Sequence, residues 1–366
     1  MKVALVHDYL HTFGGAEQVL LALTEIYPNA VIYTFIKDLR GFPQDIKERF
    51  EKKEVISSRF SNIPFNKFVA KLLVPFTKQW FENLDLTEFD LIISDGTIWS
   101  KGVKTKKNQK HIYYCHTPAR FLYNLSSESE RTRKNFLLKP IMKKIDQDLL
   151  VWDQNTANNP DIIVANSINT QNRIKKNWGK DSVVIYPPVN LFPFDKFAKR
   201  EDYFLVVSRL EPYKNVDKVI EVFNLLGTKL KVVGVGSEKV GLKLMASKNV
   251  EFLESVDSEQ LMELYTKAKG LILSAVEEDF GITTIEANSV GTPVIALKSG
   301  GFVETVEQGK NGIFYAHNTI ESLLEAVKLF NKIKFDRETV YNVVKNKYTK
   351  QIFKNKFINL VNTLTN

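Results

Sequence analysis

Phe204-Leu205-Val206-Val207-Ser208-Arg209-Leu210-Glu211-Pro212-Tyr213-Lys214-Asn215 is the stretch that decides the fold. Its four apolar residues read as a buried strand, and the polar run behind them as a loop leading into a helix. Strand, loop and helix in that order open a parallel-sheet unit. This one begins past the middle of a 366-residue chain, so it starts a second unit. Going forward, strands are expected at Leu230 to Val235, Val250 to Leu253, Leu271 to Ser274, Val294 to Leu297 and Ile313 to Phe314. Going back, they are expected at Val3 to Val6, Val31 to Thr34, Leu91 to Ser94, Ile112 to Cys115, Ile162 to Ala165 and Val183 to Tyr186. Helical-period segments fill the intervals. The class is α/β, with two doubly wound units.

Between the two sets lies Tyr186-Pro187-Pro188-Val189-Asn190, where paired prolines forbid helix and favour an extended connector. The hinge is expected there, giving one domain over residues 1–187 and another over 188–350. Gln351 to Leu364 carries Phe353, Phe357, Leu360 and Leu364 at helical spacing. Residues 351–366 are expected to return to the amino-terminal domain as a helix.

Composition agrees with a folded chain: 44% hydrophobic and 25% charged residues exclude a disordered tail. Lys and Arg number 51 against 42 Asp and Glu, and the balance of +9 favours anionic partners such as nucleotides, phospholipid surfaces or nucleic acid. Cys115 is the single cysteine, so neither an intrachain disulfide nor a thiolate zinc site can form, and a reducing interior is expected. Met1 to Asp8 turns polar after four apolar residues, too few for a signal peptide, and no apolar run of about 18 residues occurs. Any membrane contact is therefore expected to be peripheral.

In an open parallel sheet, ligands bind beyond the carboxyl ends of the strands, so the residues after each strand carry the chemistry. After the first strand, Gly14-Gly15-Ala16-Glu17 opens a helix whose free amides suit an anion, although two glycines also make an ordinary tight turn. The dinucleotide spacing Gly-x-Gly-x-x-Gly is absent there. In the opening stretch, Arg209 and Lys214 can hold a diphosphate, one as a planar fork and the other as a point charge. Ser274 to Ala287 leads from a strand through the acidic loop Glu277-Glu278-Asp279-Phe280-Gly281 into a helix. Ile282, Thr283 and Thr284 offer amides at its start, and Glu278 and Glu286 can face one bound molecule as acceptors for hydroxyl groups. Ile112 to Arg120 ends a strand in His116-Thr117-Pro118, a histidine expected in the cleft unless it is a satisfied structural group. Asp146-Gln147-Asp148 reads as a solvated helix face rather than a metal clamp. His7 and His11 are four apart in what reads as a loop, where that spacing does not converge on a metal.

This ordered set resembles the GT4 family of retaining glycosyltransferases, which adopt the GT-B fold of two facing Rossmann-like domains. The resemblance spans almost the whole chain: Gly14 to Glu17, His116-Thr117-Pro118, Pro187-Pro188-Val189, Arg209 with Lys214, Glu278 with Glu286, Gly291-Thr292-Pro293-Val294-Ile295-Ala296, and Gly300-Gly301. Tyr114 to Arg120 together with Glu277 to Ile282 is especially similar to bacterial O-antigen mannosyltransferases, which typically use GDP-mannose. The resemblance implies that Arg209 and Lys214 neutralise the donor diphosphate, assisted by the turn at Gly14 and Gly15 and by Thr283 and Thr284. It gives Glu286 to the donor ribose, Glu278 to the sugar hydroxyls and His116 to the sugar and the departing bond. Phe280, Gly281 and Ile282 complete the donor-binding turn. The nucleobase is expected beside Gly234-Val235-Gly236 and Leu253.

The resemblance further implies retention by attack from the leaving-group side, with a nucleotide sugar as co-substrate, no other cofactor and no metal, because the two cations supply positive charge. Thr284 departs from the family pattern, since many relatives carry proline there, and Ala275-Val276-Glu277 departs from its Ser-Glu, which leaves UDP-glucose as an alternative donor. A lipid-linked or glycan acceptor is expected, with a cytoplasmic protein held to the inner face of the plasma membrane. The aromatic and basic segment Arg59 to Leu84, with Phe60, Phe65, Phe68, Leu72, Leu73, Phe76, Trp80 and Phe81 beside Lys67, Lys71 and Lys78, suits an anionic membrane surface or an amphipathic domain face. Two rivals are a nucleic-acid-binding protein, which lacks a reading module here, and a nucleotide-sugar-binding protein without catalysis.

Overall fold

The central apolar runs form strands because they are buried on both faces and can satisfy their backbones only by pairing with parallel neighbours, whereas the edge runs Val183–Val184 and Val250–Leu253 are partly open. The computed structural model describes residues 1–62, 73–123, 139–254 and 256–365. The described part of residues 1–188, with the helix Lys350–Thr365, forms one compact unit, and Val189–Thr349 forms the other. The first sheet contains β1 (Val3–His7), β2 (Val31–Thr34), β3 (Val55–Ser57), β4 (Leu91–Gly96), β5 (Lys110–Cys115), β6 (Ile162–Ala165) and β7 (Val183–Val184). Its order is β3-β2-β1-β4-β5-β6-β7, parallel throughout. The second contains β8 (Tyr203–Val207), β9 (Lys229–Val233), β10 (Val250–Leu253), β11 (Gly270–Leu273), β12 (Val294–Leu297) and β13 (Gly312–Tyr315), in the parallel order β10-β9-β8-β11-β12-β13.

Each order reverses once. The chain steps outward from its first strand, then returns to pair on that strand's other side, which leaves a crevice between β1 and β4 and another between β8 and β11. One element lacks a local signal in the sequence. β3 is three residues long, and Ile56 at its centre is exposed, so it shows no apolar run.

The helix Lys350–Thr365 buries Phe353, Phe357 and Val361 in the core that β1, β4 and the helix Gly15–Ile26 share, while Leu360 and Leu364 are only partly covered. A charged rim surrounds that contact. Glu25 pairs with Lys350 at 3.0 Å, with Lys354 at 2.6 Å and with Arg49. Burial acts to raise the Glu25 pKa, but hydrogen bonds from Lys354, Arg49 and Lys350 bring it down to about 2. In the other unit, Val189 and Thr349 form a parallel bridge, and the Val189 amide donates to Tyr348 O at 3.0 Å, so this unit's first and last residues run side by side.

Of the segment read as a membrane-contact candidate, Phe65, Lys67, Phe68, Lys71 and Leu72 lie outside the described residues. Leu73 and Phe81 enter the core, and Phe76 is left exposed. No helix among the described residues is long and apolar enough to cross a membrane.

Phe357 is fully buried, and its truncation leaves a cavity. Phe357→Ala is expected to cost the amino-terminal unit about 3–5 kcal/mol. Urea unfolding should show that loss in the transition of this unit while the transition of Val189–Thr349 stays in place.

Candidate active site

In the carboxy-terminal unit the crevice between β8 and β11 is framed by the two loops that follow those strands. After β8 the chain forms a short 3-10 turn, Pro212–Lys214, before the helix Val216–Leu226. Asn215 takes a left-handed conformation, φ 51°, to make the junction. Its side-chain amide donates to Tyr213 O at 3.0 Å and to Ser274 O at 3.3 Å. Ser274 Oγ donates to Lys214 O at 2.6 Å, and the Val276 amide to Tyr213 O at 3.2 Å. These bonds lock the two loops together and bring Lys214 Nζ to 2.5 Å from Glu278 Oε2. Arg209 is exposed and donates from Nη2 to Tyr213 OH at 2.8 Å. Tyr213 therefore links both cations, since Lys214 Nζ also stands 5.1 Å from its ring centre.

The acidic loop is held from behind. Glu277 adopts φ 66°, a conformation costing a side-chain-bearing residue about 1 kcal/mol or more, and such strain gathers at functional sites. The turn Gly300-Gly301 after β12 keeps it there: the Gly301 amide donates to Glu278 O at 2.8 Å. A Cβ at Gly300 would stand 2.4 Å from that same oxygen, so only glycine fits.

The helix Ile282–Ser289 begins at Gly281, with Ile282 and Thr283 half-buried in its first turn. The Thr284 amide is committed to Gly281 O at 3.0 Å and its side chain is fully buried, which leaves the two preceding amides to face a ligand. Phe280 turns its ring into the core against Tyr348. Glu286 receives the Tyr265 hydroxyl on Oε2 at 2.9 Å, and burial pushes its carboxyl above the ordinary value despite that bond. Gly236 passes against the Leu210 backbone, and the Gly234 amide donates to Leu253 O at 3.1 Å, so these residues adjoin the Arg209 loop.

The amino-terminal unit brings its own set to the crevice between β1 and β4. Gly14 caps the helix Gly15–Ile26 without a side chain. His7 and Asp95 are partners in the register of β1 and β4, so their side chains lie on one face and meet, His7 Nδ1 to Asp95 Oδ2, at 3.0 Å. Asp95 Oδ1 lies 2.6 Å from His116 Nε2 at the end of β5, and His7 Nε2 lies 3.5 Å from Glu17. His7 was expected in a loop; it is the last residue of β1 instead. Asp8, on the opposite face, accepts the amides of Thr97, Ile98, Trp99 and Ser100 at 2.8, 3.1, 3.1 and 2.7 Å.

His7, Glu17, Asp95, Tyr213 and Tyr265 are polar site residues that the sequence did not single out for a role. Only the strand-end positions of His7 and Asp95 hinted at one. Burial alone would lower the His7 pKa, but the charge of Asp95 and hydrogen bonds to Asp95 and Glu17 raise it well above 6.5. Burial opposes ionisation of Asp95, yet the His7 charge and the His116 bond hold its pKa below the usual carboxylate value.

Two doubly wound parallel sheets in one chain make the architecture of the GT-B class. The family descriptions "Glycosyltransferase Family 4", over residues 13–191, and "Glycosyl transferases group 1", over residues 190–349, follow one another along the sequence. The chain belongs to the family 4 glycosyltransferases. It is 25% identical to the alpha-1,3/1,6-mannosyltransferase ALG2 of Dictyostelium discoideum, over 91% of this chain and 89% of that one. It is 28% identical to the O-antigen chain mannosyltransferase RfbU of Salmonella typhimurium, over 49% of this chain and 57% of that one. Among solved structures, sucrose-phosphate synthase from Thermosynechococcus elongatus matches with a TM-score of 0.77 at 17% identity, covering 100% of this chain and 99% of its own. Anabaena HepE in complex with UDP and glucose matches with a TM-score of 0.69 at 18% identity, covering 98% and 99%. These two establish the fold.

The raised His7 pKa gives a stability signature. Above about pH 6.5 the folded protein keeps a proton on His7 that the unfolded chain releases, so this contribution is full below that pH and is lost as pH rises through the folded pKa. The expected slope is up to about 1.4 kcal/mol per pH unit. Denaturant unfolding from pH 6.5 upward should show stability falling more steeply in wild type than in His7→Gln.

Proposed function

We propose that the protein transfers a hexose, mannose from GDP-mannose, to a lipid-linked or polysaccharide acceptor, with retention of anomeric configuration. The observation that carries this reading is the pairing of Lys214 with Glu278 in the crevice beyond β8 and β11: a cation for a diphosphate and a carboxylate for sugar hydroxyls, one hydrogen bond apart. When the bond from the anomeric carbon to the diphosphate oxygen breaks, its electron pair leaves with the diphosphate and the sugar becomes oxocarbenium-like. Arg209, Lys214 and the amides of Ile282 and Thr283 favour the charge on the leaving group. The acceptor hydroxyl attacks from the same side and gives its proton to the departing diphosphate. The cations make a divalent metal unnecessary in this scheme. Glu286, oriented by Tyr265, takes the ribose, and His116 acts at the transferred sugar.

ALG2 and RfbU are mannosyltransferases, which favours mannose, and UDP-glucose is the alternative that the complex of HepE with UDP-glucose brings forward. Attachment to an anionic membrane face belongs to the same reading and is favoured by the net charge of +9. Sedimentation with anionic liposomes at low salt, lost at high salt, is the expected behaviour.

Thermal unfolding with GDP-mannose or UDP-glucose tests the donor, because a ligand specific for the native state raises the melting temperature, and GDP-mannose should give the larger rise. Lys214→Ala should weaken GDP binding by about 10- to 100-fold in calorimetry, the loss of one charged hydrogen bond. Glu278→Ala removes the carboxylate that now neutralises Lys214, so GDP should bind at least as tightly while transfer falls by orders of magnitude. Unchanged GDP affinity in the first variant, or wild-type turnover in the second, contradicts the assignment.

A further inference from the structure

Three neighbouring strands of the first sheet bring histidine or aspartate to one face at or beside their carboxyl ends. His7 closes β1, Asp95 is the second-to-last residue of β4, and His116 follows β5, two residues beyond Tyr114 and so on the same side. The Asp95 carboxylate is almost wholly buried and divides its oxygens between them, Oδ2 to His7 Nδ1 at 3.0 Å and Oδ1 to His116 Nε2 at 2.6 Å. On its far side, His7 Nε2 faces Glu17 at 3.5 Å.

An ionised carboxylate only accepts hydrogen bonds, and with Asp95 bonded at Nδ1 and Glu17 within ion-pair range of Nε2, His7 is placed to carry a hydrogen on both nitrogens. His7 is then a fixed buried cation between Glu17 and Asp95, and it keeps Asp95 ionised in a place where burial opposes a charge. An ionised Asp95 requires a hydrogen on His116 Nε2. A neutral His116 ring is left with bare Nδ1, which accepts. His116 is the least buried of the three, with 12% of its side chain exposed against 2% for His7 and 1% for Asp95. The ordering therefore runs outward from a closed interior to a ring that reaches solvent.

We propose that His7 and Asp95 are positioning residues that fix the ring and the tautomer of His116, so that its Nδ1 accepts a hydrogen bond from a hydroxyl of the transferred sugar. This rests on the reading that His116 meets the sugar. The cluster also ties β1, β4 and β5 together, and a tie of that kind would be indifferent to which His116 nitrogen carries the hydrogen. His11, on the loop after β1, interacts with His7 and Glu17, and Tyr114 on β5 packs its ring 5.2 Å from that of His116 and feels the Asp95 charge.

Nitrogen-15 NMR of the full chain, labelled at its histidines, reads the tautomers directly. At pH 7.5 one ring, lost in His7→Gln, should show both nitrogens protonated. Another, lost in His116→Ala, should carry its hydrogen on Nε2. In Asp95→Asn the His116 signals should move toward a mixture of tautomers. In that variant kcat for transfer should fall by about a hundredfold or more while donor KM stays as in wild type. Wild-type His116 with its hydrogen on Nδ1 overturns the proposal, as does a neutral wild-type His7. So does a folded Asp95→Asn protein with His116 signals and kcat unchanged. Through-bond backbone-to-ring correlations in the wild-type chain assign the same rings, so the wild-type spectrum decides even if the variants fail to fold. Failure of the functional reading would appear separately, as a protein with the expected tautomers that binds no nucleotide sugar.

Discussion

Parallel pairing of the first strand of each sheet with its fourth is the constraint on which the rest depends. In β1 and β4 it sets His7 against Asp95, and in β8 and β11 it places the Arg209 loop beside the acidic loop. Neither loop could hold its charges alone. Lys214 reaches Glu278 because Asn215, Ser274 and Val276 bond the two loops through their backbones, and those bonds form only once the strands beneath have paired.

The two crevices handle charge in different ways. Lys214 and Glu278 are partly exposed, and each can exchange its partner for a ligand group. His7 and Asp95 are closed off from water, where an unpaired charge would cost several kcal/mol, so their pairing is permanent at neutral pH. Strained or tightly packed backbone accompanies the exchangeable pair: Asn215 and Glu277 take left-handed conformations, and Gly300-Gly301 clamps the acidic loop from behind. Such rigidity means that any ligand taken up there meets loops whose ordering cost was met in folding rather than in binding.

Much of this was legible in the residues. Val31–Thr34, Ile162–Ala165, Val250–Leu253 and Val294–Leu297 form strands with the expected ends, the last three because polar or turn-forming residues bound each run. Lys214, Glu278 and Glu286 stood out because they follow strands at the carboxyl edge. β3 did not stand out, since a three-residue edge strand with an exposed centre has no periodicity to read. Nor did the bond between His7 and Asp95, which joins positions 88 apart and depends on register, a property no local window contains. Tyr213 and Tyr265 were hidden for a similar reason: a tyrosine in a loop or on a helix face looks like core until its hydroxyl is seen to meet Arg209 or Glu286.

The side-by-side course of Val189 and Thr349 makes Val189–Thr349 an insertion into a unit that is otherwise unfinished. During synthesis the inserted part emerges whole while the part made first still lacks Phe353, Phe357 and Val361. The amino-terminal sheet therefore keeps an apolar face uncovered until the sixteen-residue helix Lys350–Thr365 has been made and docks. Until that helix is in place, the same face is open to chaperones, although Val189–Thr349 can already close on itself.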